Sequence, residues 1–161
     1  MTEFEYSVDP LIRTAQEETR LNNQSYYIIF AGAPGGGKSY ACMKYLQLAD
    51  PTFNASRIAF TAEEFGTLLK NAKPGEAIMW DEMGVEFDSR EFNDKINILL
   101  THVTMTMRYK RIIFGGTVPI KEWTDKKWRA LIHSYVEMWK KFVEDRSLGV
   151  FHILQTNYRF G

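Results

Sequence analysis

Residues 26–39 read Tyr-Tyr-Ile-Ile-Phe-Ala-Gly-Ala-Pro-Gly-Gly-Gly-Lys-Ser. The run from Tyr26 to Ala31 is uninterrupted and apolar, which predicts a strand buried on both faces of a parallel sheet. From Lys38 to Leu48 the apolar residues recur at helical spacing, and Asp50-Pro51 ends that pattern. The sequence therefore predicts a strand, a glycine-rich loop and a helix in direct succession.

The loop between this strand and this helix has the spacing Gly-x4-Gly-Lys-Ser. Glycines let successive backbone N–H groups curl around a phosphate chain, and the start of the helix adds unpaired N–H groups and a positive dipole end. We therefore predict a site for ATP and Mg²⁺, in which Lys38 reaches the β- and γ-phosphates and the Ser39 hydroxyl binds the metal. The residues assigned to nucleotide binding are Gly32, Ala33, Pro34, Gly35, Gly36, Gly37, Lys38, Ser39 and Tyr40.

A second apolar run, from Ala77 to Trp80, ends in two adjacent acids. Parallel strands present their carboxyl ends at one edge of a sheet, so we expect Asp81 to lie beside the glycine-rich loop as a Mg²⁺ ligand. Glu82 is expected near the γ-phosphate, where a carboxylate can orient and deprotonate the attacking water. The pair predicts hydrolysis, and the alternative is that both acids belong to a solvated turn.

Residues 112–114, Ile-Ile-Phe, predict a further strand that is broken by Gly115-Gly116. Thr117 follows and would emerge at the same edge of the sheet as Asp81. There it could act as a sensor that hydrogen-bonds the γ-phosphate or the water. Threonine in a Gly-Gly-Thr-Val-Pro segment is equally typical of an ordinary turn, so both interpretations stay open.

Charge that develops on a transferred phosphoryl group is often balanced by an arginine from a neighbouring subunit. Two arginines are candidates for this catalytic role. Arg108 closes a predicted amphipathic helix, and Arg129 lies in the segment Asp-Lys-Lys-Trp-Arg. Either could instead be an exposed cation at a helix end or in a basic turn. The helix before Arg108 is predicted from the spacing of Phe92, Ile96, Leu99, Leu100, Val103 and Met107.

The rest of the chain has weaker patterns: helices at residues 10–20 and 61–71, a short strand at 58–60, and a strand at 149–158 after a turn at 145–147. Residues 132–143 fit a helical template but could also form a strand. Alternating strands and helices predict an α/β fold with a mostly parallel sheet and helices on both faces. The segments 132–143 and 149–158 leave open a C-terminal antiparallel strand or hairpin. We assign residues 1–24 to an N-terminal arm and 25–161 to a P-loop ATPase domain.

The overall charge is balanced, with 20 Lys and Arg against 20 Asp and Glu among 161 residues. This balance argues against a protein that is permanently bound to nucleic acid. A content of 45% hydrophobic residues is typical of one soluble domain. The segment from Thr104 to Lys141 is different, because it carries a net charge of +6. It could be a solvated surface or a strip that faces the phosphates of nucleic acid or of a neighbour's nucleotide.

The single cysteine, Cys42, excludes an internal disulfide, and no Cys/His spacing resembles a zinc site. Residues 1–10 contain three acids and no apolar core, so we do not expect a secretory signal. No apolar run approaches the roughly 20 residues that span a bilayer. We therefore expect an intracellular, cytoplasmic protein without a membrane span.

Several segments together resemble the FtsK/HerA superfamily of P-loop ATPases, and within it the Zot-like and viral or plasmid-borne members. They are Gly32–Ser39, the acid motif Ile78–Gly84, residues 90–108, Gly115–Pro119 and Asp125–Arg129. The resemblance implies a RecA-like core whose sensor strand lies between the phosphate-loop strand and the acid strand. It also implies a ring-shaped homo-oligomer that moves or packages DNA. Thr117 departs from the pattern, because many relatives have Gln or Asn there.

Two other functions remain open on the sequence. A nucleoside or nucleotide kinase fits the Gly-Ala-Pro-Gly opening of the loop and the size of the chain. The adjacent acids and the lack of a compact arginine cluster for a closing lid argue against it. A nucleotide-gated binding module, in which ATP orders a surface for a partner, is the other alternative.

Overall fold

The computed structural model describes residues 9–83, 105, 109–119, 132–143 and 146–155. In chain order its elements are α1 (Pro10–Arg20), β1 (Tyr26–Gly32), α2 (Lys38–Ala49), a 3-10 turn (Ala55–Arg57), β2 (Ile58–Ala59), α3 (Ala62–Asn71), β3 (Ala77–Trp80), β4 (Ile113–Val118), β5 (Ser134–Val143) and β6 (Arg146–Gln155). The predicted strands at 26–31 and 77–80 and the predicted helices at 10–20, 38–48 and 61–71 are confirmed.

The strands form one six-stranded sheet in the order β2-β3-β4-β1-β5-β6. All neighbouring strands are parallel except β5 and β6, which are antiparallel. This arrangement confirms the predicted mostly parallel sheet with a C-terminal hairpin. β4 lies between β1 and β3, so the three strands whose ends carry the candidate site residues are direct neighbours.

Helices cover both faces of the sheet, and each face has its own apolar core. On one face α1 and α2 pack against buried side chains of β1, β3, β4 and β5. On the other face α3 contributes Phe65 and Leu69, which pack with Trp80 and Phe114. The parallel strands are apolar on both sides because both sides are covered, which explains their uninterrupted apolar runs.

The glycine pair in β4 does not interrupt the strand, so the predicted break at Gly115-Gly116 is wrong. Both glycines are buried and paired with β1, opposite Ile28 and Ile29. A Cβ on Gly115 would lie 2.7 Å from Cys42 Sγ and 2.9 Å from Leu46 Cδ1, both on α2. Glycine therefore serves close packing of the helix onto the sheet here rather than a turn.

Within the segment 132–143, residues Ser134–Val143 form a strand, which settles the choice that periodicity left open. In β5 Ser134, Val136 and Met138 are buried while Tyr135 and Glu137 are half-buried, which is the alternation of a strand. β6 begins at Arg146, so the predicted strand start at 149 is wrong, and Arg146 and Ser147 do not belong to a turn because they pair with Val143 and Phe142. Asp145, the first residue of the predicted turn, lies outside the described residues.

The first described helix, α1, packs on α2. Ile12 and Ala15 are buried, and the buried Gln16 Nε2 donates to Ala49 O at the end of α2 over 3.1 Å. The assignment of residues 1–24 to a separate arm stays a prediction. Within the described part of the chain, no helix is long and apolar enough to cross a bilayer.

A buried carboxylate fastens the end of α2 to the start of β3. Asp50 is 2% exposed, and its Oδ2 accepts from Ala77 N and from Arg57 Nη1, each over 2.8 Å. Its Oδ1 accepts from Thr52 N over 2.9 Å and from Thr52 Oγ1 over 2.7 Å. Arg57 also pairs with Glu76 at 2.9 Å. This network fixes the helix that follows the glycine-rich loop relative to the strand that ends in the acids.

Candidate nucleotide-binding site

The predicted site residues meet at the carboxyl edge of the sheet. β1 leads into the glycine-rich loop and α2, β3 leads into Asp81-Glu82, and β4 carries Thr117 near its end. Because β4 separates β1 from β3, Thr117 lies between the loop and the acids. Ligands of open α/β sheets bind at this edge.

The loop has a backbone that requires glycine at several positions. Gly35 and Gly37 have φ angles of 73° and 83°, in the left-handed region that glycine adopts without steric cost. A Cβ on Gly32 would lie 2.6 Å from the carbonyl oxygen of Met138 in β5, so the loop can leave the sheet beside β5 only with glycine there. These constraints hold the loop close to the neighbouring backbone and leave its own amides uncovered by side chains.

The start of α2 fits an anion. Its N-cap is Gly37, which offers no side chain to the unpaired N–H groups of the first turn. Such a helix end attracts phosphate through those N–H groups and through its dipole. Lys38 Nζ donates to Ala33 O over 3.1 Å, so the lysine reaches across the loop. The residues present therefore fit a phosphate group.

Ser39 and Asp81 supply a pair of oxygen atoms. Ser39 Oγ donates to Asp81 Oδ1 over 2.7 Å, although the two residues come from different elements. A hydroxyl and a carboxylate are hard oxygen ligands of the kind that Mg²⁺ prefers, and Mg²⁺ in nucleotide sites is held by one or two such groups and by phosphate. The two residues predicted to hold the metal are thus in contact with each other and fit it.

Thr117 joins the acids to β4. Its Oγ1 donates to Asp81 Oδ1 over 2.7 Å and accepts from Glu82 N, also over 2.7 Å. Its carbonyl oxygen accepts from Met83 N over 2.9 Å. Thr117 is fully buried and is part of β4, so it does not lie in the loop that the alternative interpretation required.

Glu82 has a backbone conformation that is uncommon for a residue other than glycine. Its φ angle is 49°, in the left-handed region, and the residue is exposed. The turn that contains it is fastened at both ends, because Asp81 N donates to Ala59 O of β2 over 2.9 Å and Met83 N donates to Thr117 O. Glu82 is therefore held at the carboxyl edge beside Asp81.

Two glycines support this site in a way that the sequence did not reveal. Gly115 admits α2, and Gly116 admits the buried Met83, whose Sδ would collide with a Cβ at that position. In the tripeptide Gly115-Gly116-Thr117, the first glycine leaves room for α2 and the second leaves room for Met83 in the turn after the acids. Thr117 then forms hydrogen bonds to that turn. Three small residues at the centre of an apolar strand are the signal that could have suggested close packing.

Cys42 lies near the acids but has no chemical role that its environment favours. Burial, and to a lesser extent the charge of Asp81, raise the pKa of its thiol well above the ordinary value. The thiol stays protonated near neutral pH, and it is the thiolate that is the nucleophile and the metal ligand. Cys42 therefore serves packing under Gly115.

The roles predicted for Tyr40, Arg108 and Arg129 stay predictions. Tyr40 is 73% exposed in the first turn of α2. Arg108 and Arg129 lie outside the described residues, as do positions 104, 106–108 and 120–131 of the basic segment 104–141. In that segment Lys110 Nζ donates to Lys70 O over 2.7 Å and Arg111 Nη1 donates to Asn23 Oδ1 over 2.8 Å, so these two cations have bonds within the chain.

Comparison with solved structures supports the fold. The chain is similar to the flagellar accessory protein FlaH of Methanocaldococcus jannaschii, with a TM-score of 0.50 and 12% sequence identity over 84% of this chain and 80% of that one. At this identity the similarity concerns the fold alone, which is α/β and RecA-like. The sequence matches no protein-family model, and a search among curated proteins found no similar sequence.

Proposed function

We propose that this protein binds ATP with Mg²⁺ at the carboxyl edge of its sheet and hydrolyses it. The observation that carries the proposal is the 2.7 Å contact between Ser39 Oγ and Asp81 Oδ1, with Lys38 and the uncapped start of α2 alongside. A phosphate-binding loop alone would also suit a binding protein. An adjacent metal ligand and a second carboxylate favour hydrolysis.

In this proposal each residue has a separate task. The loop amides from Gly35 to Ser39 hold the phosphates together with the Lys38 ammonium, except Gly36 N, which donates to Ala33 O. Ser39 and Asp81 hold the metal. Bound Mg²⁺ supplies positive charge that the transferred phosphoryl group requires. Glu82 accepts a proton from the attacking water, because its carboxylate is next to Asp81 and exposed at this edge.

We further propose that hydrolysis drives movement or packaging of DNA by a ring of subunits, as the resemblance to the FtsK/HerA superfamily suggests. The support is the RecA-like strand order and the motifs Gly32–Ser39 and Asp81-Glu82. Under this proposal Arg108 or Arg129 would act on a neighbour's nucleotide. A kinase and a nucleotide-gated binding module remain the alternatives.

The test begins with Glu82→Gln, which keeps the shape of the side chain but removes its basicity. We expect ATP binding to be retained and the rate of phosphate release to fall by about 100-fold or more, the usual contribution of a general base. Glu63→Gln is the matched control, because Glu63 is an exposed acid in the first turn of α3. An unchanged rate in Glu82→Gln would remove Glu82 from the mechanism.

The alternatives are separated by measuring phosphate release from wild-type protein under three conditions: ATP alone, ATP with DNA, and ATP with nucleoside monophosphates. Stimulation by DNA supports the motor. Transfer of phosphate to the monophosphate supports the kinase. Tight ATP binding without release in any condition supports the binding module.

A further inference from the structure

The bonds of Thr117 leave it little capacity for contact with a nucleotide. A threonine hydroxyl has one proton and two lone pairs. The proton is donated to Asp81 Oδ1, and one lone pair accepts the Glu82 amide. Oxygens of an ionised γ-phosphate accept hydrogen bonds and do not donate them. While these bonds persist, Thr117 has no proton to offer to a phosphate.

The same bonds hold Glu82 in its uncommon conformation. A left-handed backbone brings the Cβ of an ordinary residue too close to the following carbonyl oxygen, and Glu82 has a φ angle of 49°. The hydrogen bond from Glu82 N to the buried Thr117 hydroxyl offsets part of the cost of this close contact. Without that acceptor, the backbone at Glu82 is released toward the commoner regions, and its Cβ then takes a different direction from the chain.

We propose that Thr117 is a positioning residue: its hydroxyl fixes the backbone of Glu82 and influences hydrolysis through that carboxylate, without touching the nucleotide. The inference rests on the proposed function, since Glu82 must be the base for its position to matter. It differs from the sensor role expected from the sequence, in which the hydroxyl contacts the phosphate directly. A short hydroxyl residue suits this position, because one hydroxyl both donates to Asp81 Oδ1 and accepts from Glu82 N, each over 2.7 Å.

A double-mutant cycle tests the proposal. Thr117→Val has a similar shape but no hydroxyl, and Thr117→Ser keeps the hydroxyl. We expect Thr117→Val to lower kcat by about 100-fold, the effect of a misplaced catalytic group, with little change in KM for ATP, and Thr117→Ser to restore most of the rate. In the Glu82→Gln background, Thr117→Val should lower kcat by about tenfold at most, because the part of the loss that acts through Glu82 is already gone and only the lost bond to Asp81 Oδ1 remains.

An independent readout is amide hydrogen exchange in the protein without nucleotide. The Glu82 amide bonds to the Thr117 hydroxyl, whereas the Asp81 amide, which precedes the released backbone, bonds to the carbonyl of Ala59 in β2. Thr117→Val should accelerate exchange at Glu82 and leave Asp81 protected, which makes Asp81 the internal control and shows that this edge of the sheet is folded. Thr117→Ser should leave both amides protected.

Each outcome has one meaning. Equal losses of kcat from Thr117→Val in the wild-type and Glu82→Gln backgrounds would overturn the inference, because Thr117 would then act separately from Glu82. Unchanged exchange at the Glu82 amide would overturn it without reference to activity. A wild-type protein that binds but does not hydrolyse ATP would refute the proposed function, and the exchange result would still report whether the hydroxyl holds the turn.

Discussion

Replacing Asp50 with asparagine is expected to destabilise the fold because Asp50 serves four donors at once. The carboxylate is 2% exposed and accepts from Ala77 N, Arg57 Nη1 and two donors of Thr52. An asparagine has one oxygen in place of two, so its amide nitrogen faces either Ala77 N and Arg57 Nη1 or Thr52 N, and only the Thr52 hydroxyl can rotate to accept from it. That change removes at least one hydrogen bond and the charge that pairs with Arg57.

Each buried hydrogen bond left without a partner costs about 1–3 kcal/mol, and breaking one side of a buried ion pair costs about 3–5 kcal/mol. Because Arg57 keeps its pair with Glu76, we expect a loss of about 3 kcal/mol in the free energy of unfolding. For a chain of this size that corresponds to a fall in Tm of roughly 6–12 °C.

Urea and thermal unfolding, followed by circular dichroism, measure this effect. Glu17→Gln is the matched control, because Glu17 forms an exposed ion pair with Arg13 on α1, and exposed pairs contribute under about 1 kcal/mol. The double variant with Arg57→Met should lose less than the sum of the single variants, since the two residues share one interaction. A loss in Asp50→Asn no larger than that in Glu17→Gln would refute the reasoning.

Two further predictions concern packing and pH. Gly116→Ala should destabilise the fold by about 1–3 kcal/mol, because the new Cβ would collide with Met83 and would lie 2.8 Å from Ile29 Cδ1. Gly66→Ala, in α3 with open space around it, should instead stabilise the fold by about 0.5–1 kcal/mol. Urea unfolding that ranks the two variants the other way would contradict this prediction. Burial lowers the pKa of His133 from 6.5 to about 4, so the unfolded chain takes up a proton that the folded chain refuses as the pH falls between these values. His133 therefore does not reduce the free energy of unfolding above pH 6.5, and it reduces it by at most about 3 kcal/mol as the pH falls to 4. His133→Gln should flatten the plot of unfolding free energy against pH over this range relative to wild type. Parallel plots for the two proteins would show that His133 does not titrate in this way.

The strand, loop and helix at residues 26–49 could be predicted from the sequence because every signal for them is local. The apolar run, the glycine spacing and the helical repeat lie within a few residues of the structure that they specify. The placement of Asp81 beside the loop also followed, because parallel strands end at a common edge. These inferences located Lys38, Ser39 and Asp81 and brought them to one side of the sheet.

Other features depended on neighbours that are distant in the sequence. Residues 132–143 fitted a helix as well as a strand, and the choice was decided by the hydrogen-bonding edge of β1, which pairs with Ser134–Met138. The pair Gly115-Gly116 was interpreted as a break because glycine usually ends regular structure, whereas here it admits Cys42 and Met83. Periodicity contains no information about what packs on a strand.

The sequence by itself determined that this chain has a glycine-rich loop between a strand and a helix, an acid pair at a strand end and an alternating α/β order, because backbone propensity and apolar periodicity act over short distances. Only the tertiary structure decided which hydrogen bonds form in the candidate site: Asp81 Oδ1 accepts from Ser39, 42 residues away, and from Thr117, 36 residues away. Which hydroxyl meets which carboxylate depends on the order of strands in the sheet. That order results from packing of the whole chain, and no local pattern specifies it.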